Sequence, residues 1–296
     1  MMAMAVMVLS AGLGTRLSPL STWLAKPLVP VGDRPALAHV LERSRSFGGP
    51  IVVNAHHQAA KVAAFLERTA PNVLLSQEKE LLGTAGGVQR ALGKLGDENV
   101  LVWNADILAP LDVVALREAH EGGDGGETRA TLVVSATVAR GNVGVDAGGR
   151  VVRLRSERVG PGEVRGVDFL GVQVIGRSLC KWLPERGGLI ENFYLPRLAG
   201  GTRVDVWETR VSWRDIGTVP SYVEANVAWL EERGVSSWVA EGTDVIPSVE
   251  LASSVVGEGA SVAGEGQLER CVVWPGARAV APLQKAVATP WGIVQT

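Results

Sequence analysis

The fold of this chain is decided near its start, by the run Ala5-Val6-Met7-Val8-Leu9 followed at once by Ser10-Ala11-Gly12-Leu13-Gly14. A continuous apolar run of this length is typical of a central parallel strand that is covered on both faces. The glycines Gly12 and Gly14 allow main-chain N–H groups to turn toward one point, which makes a cradle for an anion. The stretch therefore predicts a buried strand that leads into an anion-binding loop.

Outward from this stretch, apolar strand-like runs alternate with helical patterns through the first half of the chain. The predicted strands are 5–9, 51–54, 72–75, 99–103 and 131–134, and the predicted helices are 35–45, 58–68, 85–95 and 111–120. Such alternation is typical of an α/β fold with an open, mostly parallel, Rossmann-like sheet. Short alternating runs after residue 143 predict antiparallel ribbon at the edge of this sheet, and residues 220–232 predict a closing helix.

The end of the chain has a different pattern, in which Ser-Val-Val-Gly-Glu-Gly-Ala at 254–260 is followed by Ser-Val-Ala-Gly-Glu-Gly-Gln at 261–267. Apolar residues recur at a step of six, at Val256, Val262, Leu268, Trp274 and Val280. This step is typical of a left-handed parallel β-helix with one hexapeptide on each face. We therefore expect an α/β domain over residues 1–235 and a short left-handed β-helix over residues 244–296; the alternative is an irregular Gly/Val-rich tail.

Composition excludes several classes of protein. The chain has 296 residues, of which 46% are hydrophobic and 20% charged, so it can bury a core and is not a disordered chain. A net charge of -2 argues against nucleic-acid binding as the main role, because such proteins are usually strongly basic. No run reaches the ~18 apolar residues that a membrane span needs. The separated Cys180 and Cys271 show no disulfide or zinc pattern, which fits a cytoplasmic protein.

Two cations follow the glycine turn closely. Arg16 and Lys26 add positive charge to the main-chain cradle, which suits a polyphosphate leaving group. A dinucleotide-binding motif would need a third glycine where Leu17 stands, and a P-loop would need Gly-Lys-Ser/Thr before the helix. Both of these phosphate-binding motifs are therefore excluded.

The chain resembles the sugar-1-phosphate nucleotidyltransferases, also called nucleotide-sugar pyrophosphorylases. The resemblance is carried, in order, by Gly-x-Gly-Thr-Arg-Leu-x-Pro-Leu at 12–20, Lys-Pro at 26–27, Leu-Gly-Thr-Ala-Gly at 82–86, Asn-Ala-Asp at 104–106, and Trp-Arg-Asp-Ile-Gly-Thr at 213–218. A tail of hexapeptide type is common in such enzymes. Ala25 departs from the family, which usually has Pro before the Lys, and Ser156-Glu157-Arg158 stands where several relatives have Glu-Lys-Pro.

The resemblance implies an enzyme that uses Mg²⁺, a nucleoside triphosphate and a sugar 1-phosphate. A phosphate oxygen of the sugar 1-phosphate attacks the α-phosphorus, and pyrophosphate leaves. The implied catalytic residues are Arg16, Lys26, Asp106 and Asp215, of which Asp106 and Asp215 are also the implied metal ligands. The implied nucleotide-binding residues are Ala11, Gly12, Gly14, Thr15, Glu78, Gly83 and Thr84. The implied sugar-phosphate residues are Arg158, in place of the family lysine, and Glu191.

The choice of base rests on Glu78, five residues before Gly83. Uridylyl-transferring relatives often have Gln there, whereas a carboxylate can accept two bonds from guanine N1–H and its 2-amino group. This favours GTP, and with it guanylyl transfer to mannose 1-phosphate. The alternative for Glu78 is a solvated residue in the run Glu78-Lys79-Glu80.

Other functions and assemblies remain open from sequence. The nearest rival reaction is uridylyl or thymidylyl transfer to another sugar 1-phosphate. A rival of another class is a non-catalytic regulatory subunit that binds nucleotide sugars. No nucleic-acid or membrane partner is expected, and a homo-oligomer is compatible with the sequence because the edges of coils and ribbons often pair.

Overall fold

The structure is a computed structural model that describes residues 3–122, 128–137 and 140–296. The chain forms two compact units. Unit 1 comprises Met1–Gly12 and Val40–Trp213, and unit 2 comprises Leu13–His39 and Arg214–Thr296. In the described residues, no helix has the length and the apolar character that a membrane crossing requires.

The strands and helices are numbered in chain order. The strands are β1 Met4–Leu9, β2 Pro30–Val31, β3 Arg34–Pro35, β4 Gly48–Ala55, β5 Leu74–Gln77, β6 Val100–Asn104, β7 Ile107–Leu108, β8 Ala130–Ala136, β9 Val143–Val145, β10 Val151–Leu154, β11 Glu157–Arg158, β12 Arg165–Ile175, β13 Val204–Thr209, β14 Arg214–Asp215, β15 Trp238–Val239, β16 Asp244–Val245, β17 Val249–Ala252, β18 Val255–Val256, β19 Ser261–Glu269, β20 Val272–Val273, β21 Arg278–Gln284, β22 Ala286–Thr289 and β23 Gly292–Gln295. The α-helices are α1 Leu20–Trp23, α2 Ala36–Ser44, α3 Ala59–Thr69, α4 Gly83–Leu95, α5 Val113–Glu121, α6 Arg177–Cys180, α7 Leu195–Ala199 and α8 Val219–Glu231.

The main sheet lies in unit 1 and has the order β11-β10-β9-β12-β6-β1-β4-β5. Strand β1 pairs in parallel with β4 and β6, and β4 pairs in parallel with β5. Val6, Met7 and Val8 of β1 are fully buried, as the apolar run predicts for a strand covered on both faces. The prediction of an α/β fold with a mostly parallel central sheet is confirmed.

The antiparallel part of the sheet differs from the prediction in two ways. The long strand β12 pairs with β8 along one side and with β6 and β9 along the other, so it lies inside the sheet and not at its edge. Strand β13 pairs in parallel with β8, although its sequence pattern predicts antiparallel ribbon. Alternation along a strand shows which face is buried, but it carries no information on the direction of the partner strand.

In unit 2, helix α8 holds the short hairpin formed by β2 and β3. The N–H of Gly32 in the hairpin turn donates to Oδ1 of Asn226 at 2.8 Å. A Cβ on Gly32 would lie 2.0 Å from the ring of Trp229, so only glycine permits this approach. Tyr222, Asn226 and Trp229 are spaced four and three positions apart, and therefore share one face of α8.

From β15 onward, unit 2 consists of short strands, most of them paired in parallel, with an antiparallel pair of β22 and β23 at the end. Residues 238–295 are called the coil below. Its register places Trp238 beside Val255 and Val255 beside Val272. Val256, Val262, Leu268 and Trp274 are buried, as the step of six predicts. Val280 is 61% exposed, whereas its neighbours Ala279 and Ala281 are buried. The step from Val255 to Val272 falls one position short of three hexapeptides, so the count in sixes runs out of phase at Val280.

Candidate active site

Four parallel strands of unit 1 end at one edge of its sheet. Because β6, β1, β4 and β5 are neighbours and run in parallel, their carboxyl ends meet there. Ser10 follows β1, Asn54 lies near the end of β4, Glu78 follows β5 and Asp106 follows β6. Ligands of open parallel sheets bind beyond this edge, at the carboxyl ends of the strands.

A buried hydrogen-bond network connects three of these residues. The N–H of Ser10 donates to Oδ1 of Asn54 at 2.7 Å, and the Ser10 hydroxyl donates to the Asn54 carbonyl. The Asn54 amide nitrogen then donates to Oε1 of Glu78 at 2.7 Å. The network thus supports the residues at the start of the glycine loop, Ala11 and Gly12. Sequence reasoning missed Asn54, for which the only signal is a polar residue that closes the apolar run Ile51-Val52-Val53.

Glu78 is held by protein donors at the end of β5. It is 3% exposed, and its second oxygen, Oε2, accepts the N–H of Leu82 at 3.1 Å. Each carboxylate oxygen thus accepts one protein N–H, and recognition of guanine by Glu78 stays a prediction. The burial also excludes the alternative of a solvated residue. Glu78 instead supports the residues that lead into α4, because a carboxylate supplies one acceptor for each of two donors.

The start of α4 is joined to the loop at 185–189. Gly83 has a φ of +78°, and a Cβ there would lie 2.5 Å from the Gly187 carbonyl oxygen. That oxygen accepts the N–H of Ala85 at 2.9 Å, and the Thr84 hydroxyl oxygen accepts the N–H of Leu189 at 2.8 Å. The loop continues directly into the π-helical turn Ile190–Tyr194. Gly83 and Thr84 are thus positioned together with the segment that carries Glu191.

Glu191 pairs with an arginine that sequence reasoning did not select. Its Oε1 accepts from Nη1 of Arg155, which lies in the turn between β10 and β11 with a φ of +54°. The predicted Arg158 is instead 63% exposed in its side chain, and its Nη2 lies 3.7 Å from Oε2 of Glu163. The structure thus places Glu191 with Arg155. Both arginines flank one turn in the sequence, and the only signal that separates them is the turn geometry.

Asp106 follows β6 in a loop that is held from both sides. The N–H of Ala105 donates to the Leu9 carbonyl at 2.9 Å, and the Trp103 indole N–H donates to the Ile107 carbonyl at 2.9 Å. Asp106 itself is half-buried. Its carboxylate is therefore carried by an ordered loop at the carboxyl edge of the parallel strands.

In unit 2, the second glycine of the loop lies against the lysine. Gly14 has a φ of +66°, and a Cβ there would lie 3.1 Å from Cβ of Ser21 and 3.2 Å from Cβ of Lys26. Thr15 and Arg16 follow in a 3-10 turn and are exposed. The glycine therefore allows the loop to approach Lys26 while it leaves the loop surface open to a ligand.

Three predicted catalytic residues converge at Gly217. The Lys26 ammonium nitrogen lies 3.9 Å from Oδ1 of Asp215. A Cβ on Gly217 would lie 2.8 Å from Oδ1 of Asp215, 3.0 Å from its Oδ2 and 3.0 Å from Nη2 of Arg16. Gly217 lies in the last of the quoted motifs but is not among the predicted site residues. Its missing side chain leaves the space into which one carboxylate and one guanidinium both point.

The donor set suits magnesium. In unit 2, the Asp215 carboxylate supplies hard oxygen donors beside the space at Gly217. In unit 1, Asp106 supplies a half-buried carboxylate. Over 3–122, 128–137 and 140–296, no cluster of three or more His, Cys, Asp or Glu residues is placed to hold a metal. Mg²⁺ is usually bound through one or two carboxylates together with substrate phosphates, so the residues present fit this ion.

The sequence and the fold are both similar to known proteins. The family model described as nucleotidyl transferase matches residues 5–156. Mannose-1-phosphate guanylyltransferase of Mycobacterium tuberculosis is 28% identical over 92% of this chain and 80% of its own length. A probable mannose-1-phosphate guanylyltransferase 1 of Oryza sativa subsp. japonica is 28% identical over 93% of this chain and 82% of its own length.

A solved structure shares the fold. HddC from Yersinia pseudotuberculosis, complexed with GMP-PN, gives a TM-score of 0.62 at 21% identity and covers 76% of this chain and 98% of its own. The family rests on the sequence match, and this solved structure shows the fold alone.

Proposed function

We propose, from the premise that this chain belongs to the nucleotidyl transferase family, that it transfers a guanylyl group from GTP to mannose 1-phosphate. The products are GDP-mannose and pyrophosphate. The observation that carries the proposal is the convergence of Arg16, Lys26 and Asp215 at Gly217, within the motifs that are typical of this chemistry. The choice of guanine and mannose is supported by the names of the relatives.

The reaction requires that electrostatic repulsion be offset, because a phosphate anion must approach a triphosphate anion. In the transfer, a bond forms between the sugar-phosphate oxygen and the α-phosphorus, and the bond to the leaving pyrophosphate breaks. Fixed cations offset the repulsion and stabilise the charge that develops on the leaving group. Arg16 and Lys26 are the cations that unit 2 supplies.

The cations and the glycine loop are assigned to the phosphates of the triphosphate. Arg16, with the main-chain N–H groups of Gly14 and Thr15, binds the leaving pyrophosphate. Lys26, at 11% exposure of its side chain, binds the phosphates at the reacting centre. In unit 1, Ala11 and Gly12 contribute main-chain groups to the phosphates.

The base and the sugar phosphate are assigned to other residues of unit 1. The main-chain groups of Gly83 and Thr84 bind the base. Glu191 and Arg158 keep the sugar-phosphate role that the resemblance implies, and Arg155 joins them as the arginine paired with Glu191.

Magnesium completes the proposal. Asp106 and Asp215 are the carboxylates that would hold Mg²⁺ together with the phosphates. When bound, the ion neutralises phosphate charge and helps to orient the non-bridging oxygens. The chain's own residues still bind the triphosphate and hold the leaving group.

The remaining assignments concern organisation. The catalytic domain is assigned to residues 1–235 and a left-handed β-helix to residues 244–296; the repeated parallel pairing of β15, β18 and β20 supports a coil.

A cytoplasmic location is supported by two free cysteines, Cys180 and Cys271. Paired copies are consistent with the edge strand β23, which has a partner on one side in the sheet order.

The test is pyrophosphate release from a panel of GTP, UTP, dTTP, ATP and CTP with mannose 1-phosphate or glucose 1-phosphate, in Mg²⁺. We expect the highest kcat/KM for GTP with mannose 1-phosphate. A preference for UTP or dTTP would replace guanylyl transfer with the rival reaction. No turnover together with tight binding of GDP-mannose would identify a regulatory subunit instead.

A further inference from the structure

The segment that carries Lys26 is contacted on one flank by the coil and on the other by helix α8, which the coil contacts in turn. Lys26 begins a 3-10 turn, with α1 just before it and β2 just after it. Trp23 ends α1, three positions before Lys26, and Pro30 begins β2, four positions after it. Trp23 contacts Trp291, near the end of the sequence of unit 2, and Pro30 contacts Tyr222 of α8.

The first contact is a stack of two tryptophans. Trp291 lies in the tight turn between β22 and β23, the last hairpin of the coil. Its ring lies 5.7 Å from that of Trp23, with an interplanar angle of 18°. Trp291 is 57% exposed, so burial in a core does not account for its position. Stacking on Trp23 is one of the aromatic contacts that order this side chain.

The second contact passes through one hydroxyl group. The indole N–H of Trp274 in the coil donates to the Tyr222 hydroxyl oxygen at 2.9 Å. That hydroxyl in turn donates to the Pro30 carbonyl at 2.5 Å. Tyr222 is fully buried and Trp274 is 2% exposed, so water does not compete for these bonds. The single proton of the hydroxyl and one of its lone pairs are both used.

The two contacts are connected to each other through a third contact within the coil. Trp274 meets Trp291 edge to face, with ring centroids 6.4 Å apart. The path therefore runs from Trp23 through Trp291, Trp274 and Tyr222 to Pro30, and returns along the chain through Lys26. Between the flanks, the N–H of Leu28 donates to the Ala25 carbonyl at 2.7 Å, which keeps the intervening turn short. Because the turn is short and both of its flanks are held, a shift of Trp23 or Pro30 would change the position of Lys26.

We infer that the aromatic cluster of Trp23, Trp291, Trp274 and Tyr222 positions Lys26 for the transfer reaction. The last hairpin of the coil, which carries Trp291, therefore contributes to catalysis through the position of Lys26. This inference deepens the proposed function and rests on it for the role of Lys26. Trp291 and Tyr222 are positioning residues, since neither is assigned a contact with substrate. A misplacement of about 1 Å in a group that binds the reacting phosphates can cost ~10²-fold in rate.

The experiment compares Trp291→Ala, Trp291→Phe and Ile293→Ala in the full chain. Ile293 lies on the same hairpin and is 49% exposed, so its replacement controls for general disturbance of the hairpin. The first readout is the rate at which Lys26 is acetylated by a limiting amount of an N-hydroxysuccinimide ester, followed by peptide mass spectrometry. The exposed Lys61 and Lys94 serve as internal references. This readout does not require turnover.

In Trp291→Ala we expect Lys26 to be acetylated about three times faster relative to the references, with an unchanged Tm. We also expect kcat/KM for pyrophosphate release to fall about tenfold, mainly through kcat. Trp291→Phe should recover most of both effects, and Ile293→Ala should show neither. Tyr222→Phe, which removes the bond to Pro30, should match Trp291→Ala in the labelling.

Two results would overturn the inference. One is an unchanged Lys26 labelling rate in both Trp291→Ala and Tyr222→Phe, and the other is an equal increase in Ile293→Ala. If labelling changes as expected but no variant and no wild-type protein turns over substrate, then the positioning role stands and the proposed reaction is wrong.

Discussion

The Lys26 ammonium nitrogen lies 3.9 Å from the Asp215 carboxylate, although the two residues come from the first and the last part of the predicted catalytic domain. Helix α8 explains this proximity, because it begins just after Asp215 and also holds the hairpin that follows Lys26. The carboxylate and the ammonium group are therefore positioned by a single helix. Both are needed in the proposed reaction, one toward the metal ion and one toward the phosphates.

The carboxylates give the first prediction. Asp215→Asn and Asp106→Asn should each lower turnover in Mg²⁺ by about 10²-fold or more while the protein folds normally, because a neutral amide is a poor ligand for Mg²⁺. Chelation of the metal should abolish turnover of the wild type. Pyrophosphate release and circular dichroism measure the two properties. The exposed Asp244→Asn is the matched control, and a near wild-type rate in Asp106→Asn would contradict the metal assignment.

Gly217 gives the second prediction. A methyl group there would lie 2.8 to 3.0 Å from Asp215 and Arg16, so Gly217→Ala must displace one of these side chains. We expect kcat/KM to fall about 10²-fold, with a small change in stability. Gly93→Ala is the control, since a Cβ there meets no atom within 4 Å and alanine favours the interior of α4. Equal activity in the two variants would show that the space at Gly217 is not used.

Glu78 gives the third prediction. Glu78→Gln faces two donors, from Asn54 and Leu82, with one carbonyl oxygen, so one donor loses its partner. We expect a loss of about 1–3 kcal/mol in the free energy of unfolding and a lower rate with every triphosphate. The GTP/UTP ratio should not change. Glu80→Gln, an exposed neighbour, is the control; a shift toward UTP in Glu78→Gln alone would support a direct role in base recognition.

The cysteines give the fourth prediction. Burial raises the pKa of the Cys180 thiol to about 11, and burial also raises the pKa of Cys271. At pH 8 only about one part in 10³ of Cys180 is then thiolate, and the thiolate is the reactive form. In the folded protein we expect little reaction of either thiol with a disulfide reagent at pH 8, and full reaction in denaturant. Rapid labelling of the native protein would contradict the burial of these side chains.

The pH dependence of stability gives the fifth prediction. Burial lowers the pKa of His39 below its ordinary value of 6.5, and its Nε2 lies 2.9 Å from the Val31 carbonyl oxygen. The unfolded chain binds the proton more readily, so this contribution to stability is present above pH 6.5 and is lost as the pH falls below it. Urea unfolding between pH 5 and 8 should therefore show a steeper loss on acidification in the wild type than in His39→Gln. Identical slopes would exclude His39 as the cause.

Local patterns determined much of this protein. The resemblance to the nucleotidyltransferases implied the grouping of Arg16, Lys26 and Asp215. The apolar run before Gly12 predicts a buried parallel strand, and the alternating elements predict the α/β sheet. Such features can be read because the periods of helices and strands, and the conformational freedom of glycine, depend on neighbouring residues alone.

The tertiary structure decided which long-range partner each polar group receives. It engaged both oxygens of Glu78 with Asn54 and Leu82, it paired Glu191 with Arg155, and it moved Val280 to the surface of the coil. The physical reason is that a hydrogen bond depends on the position and direction of groups that the chain brings together from distant segments. These positions and directions are fixed only when the sheet and the coil have formed, so they cannot be read from the order of residues along the chain.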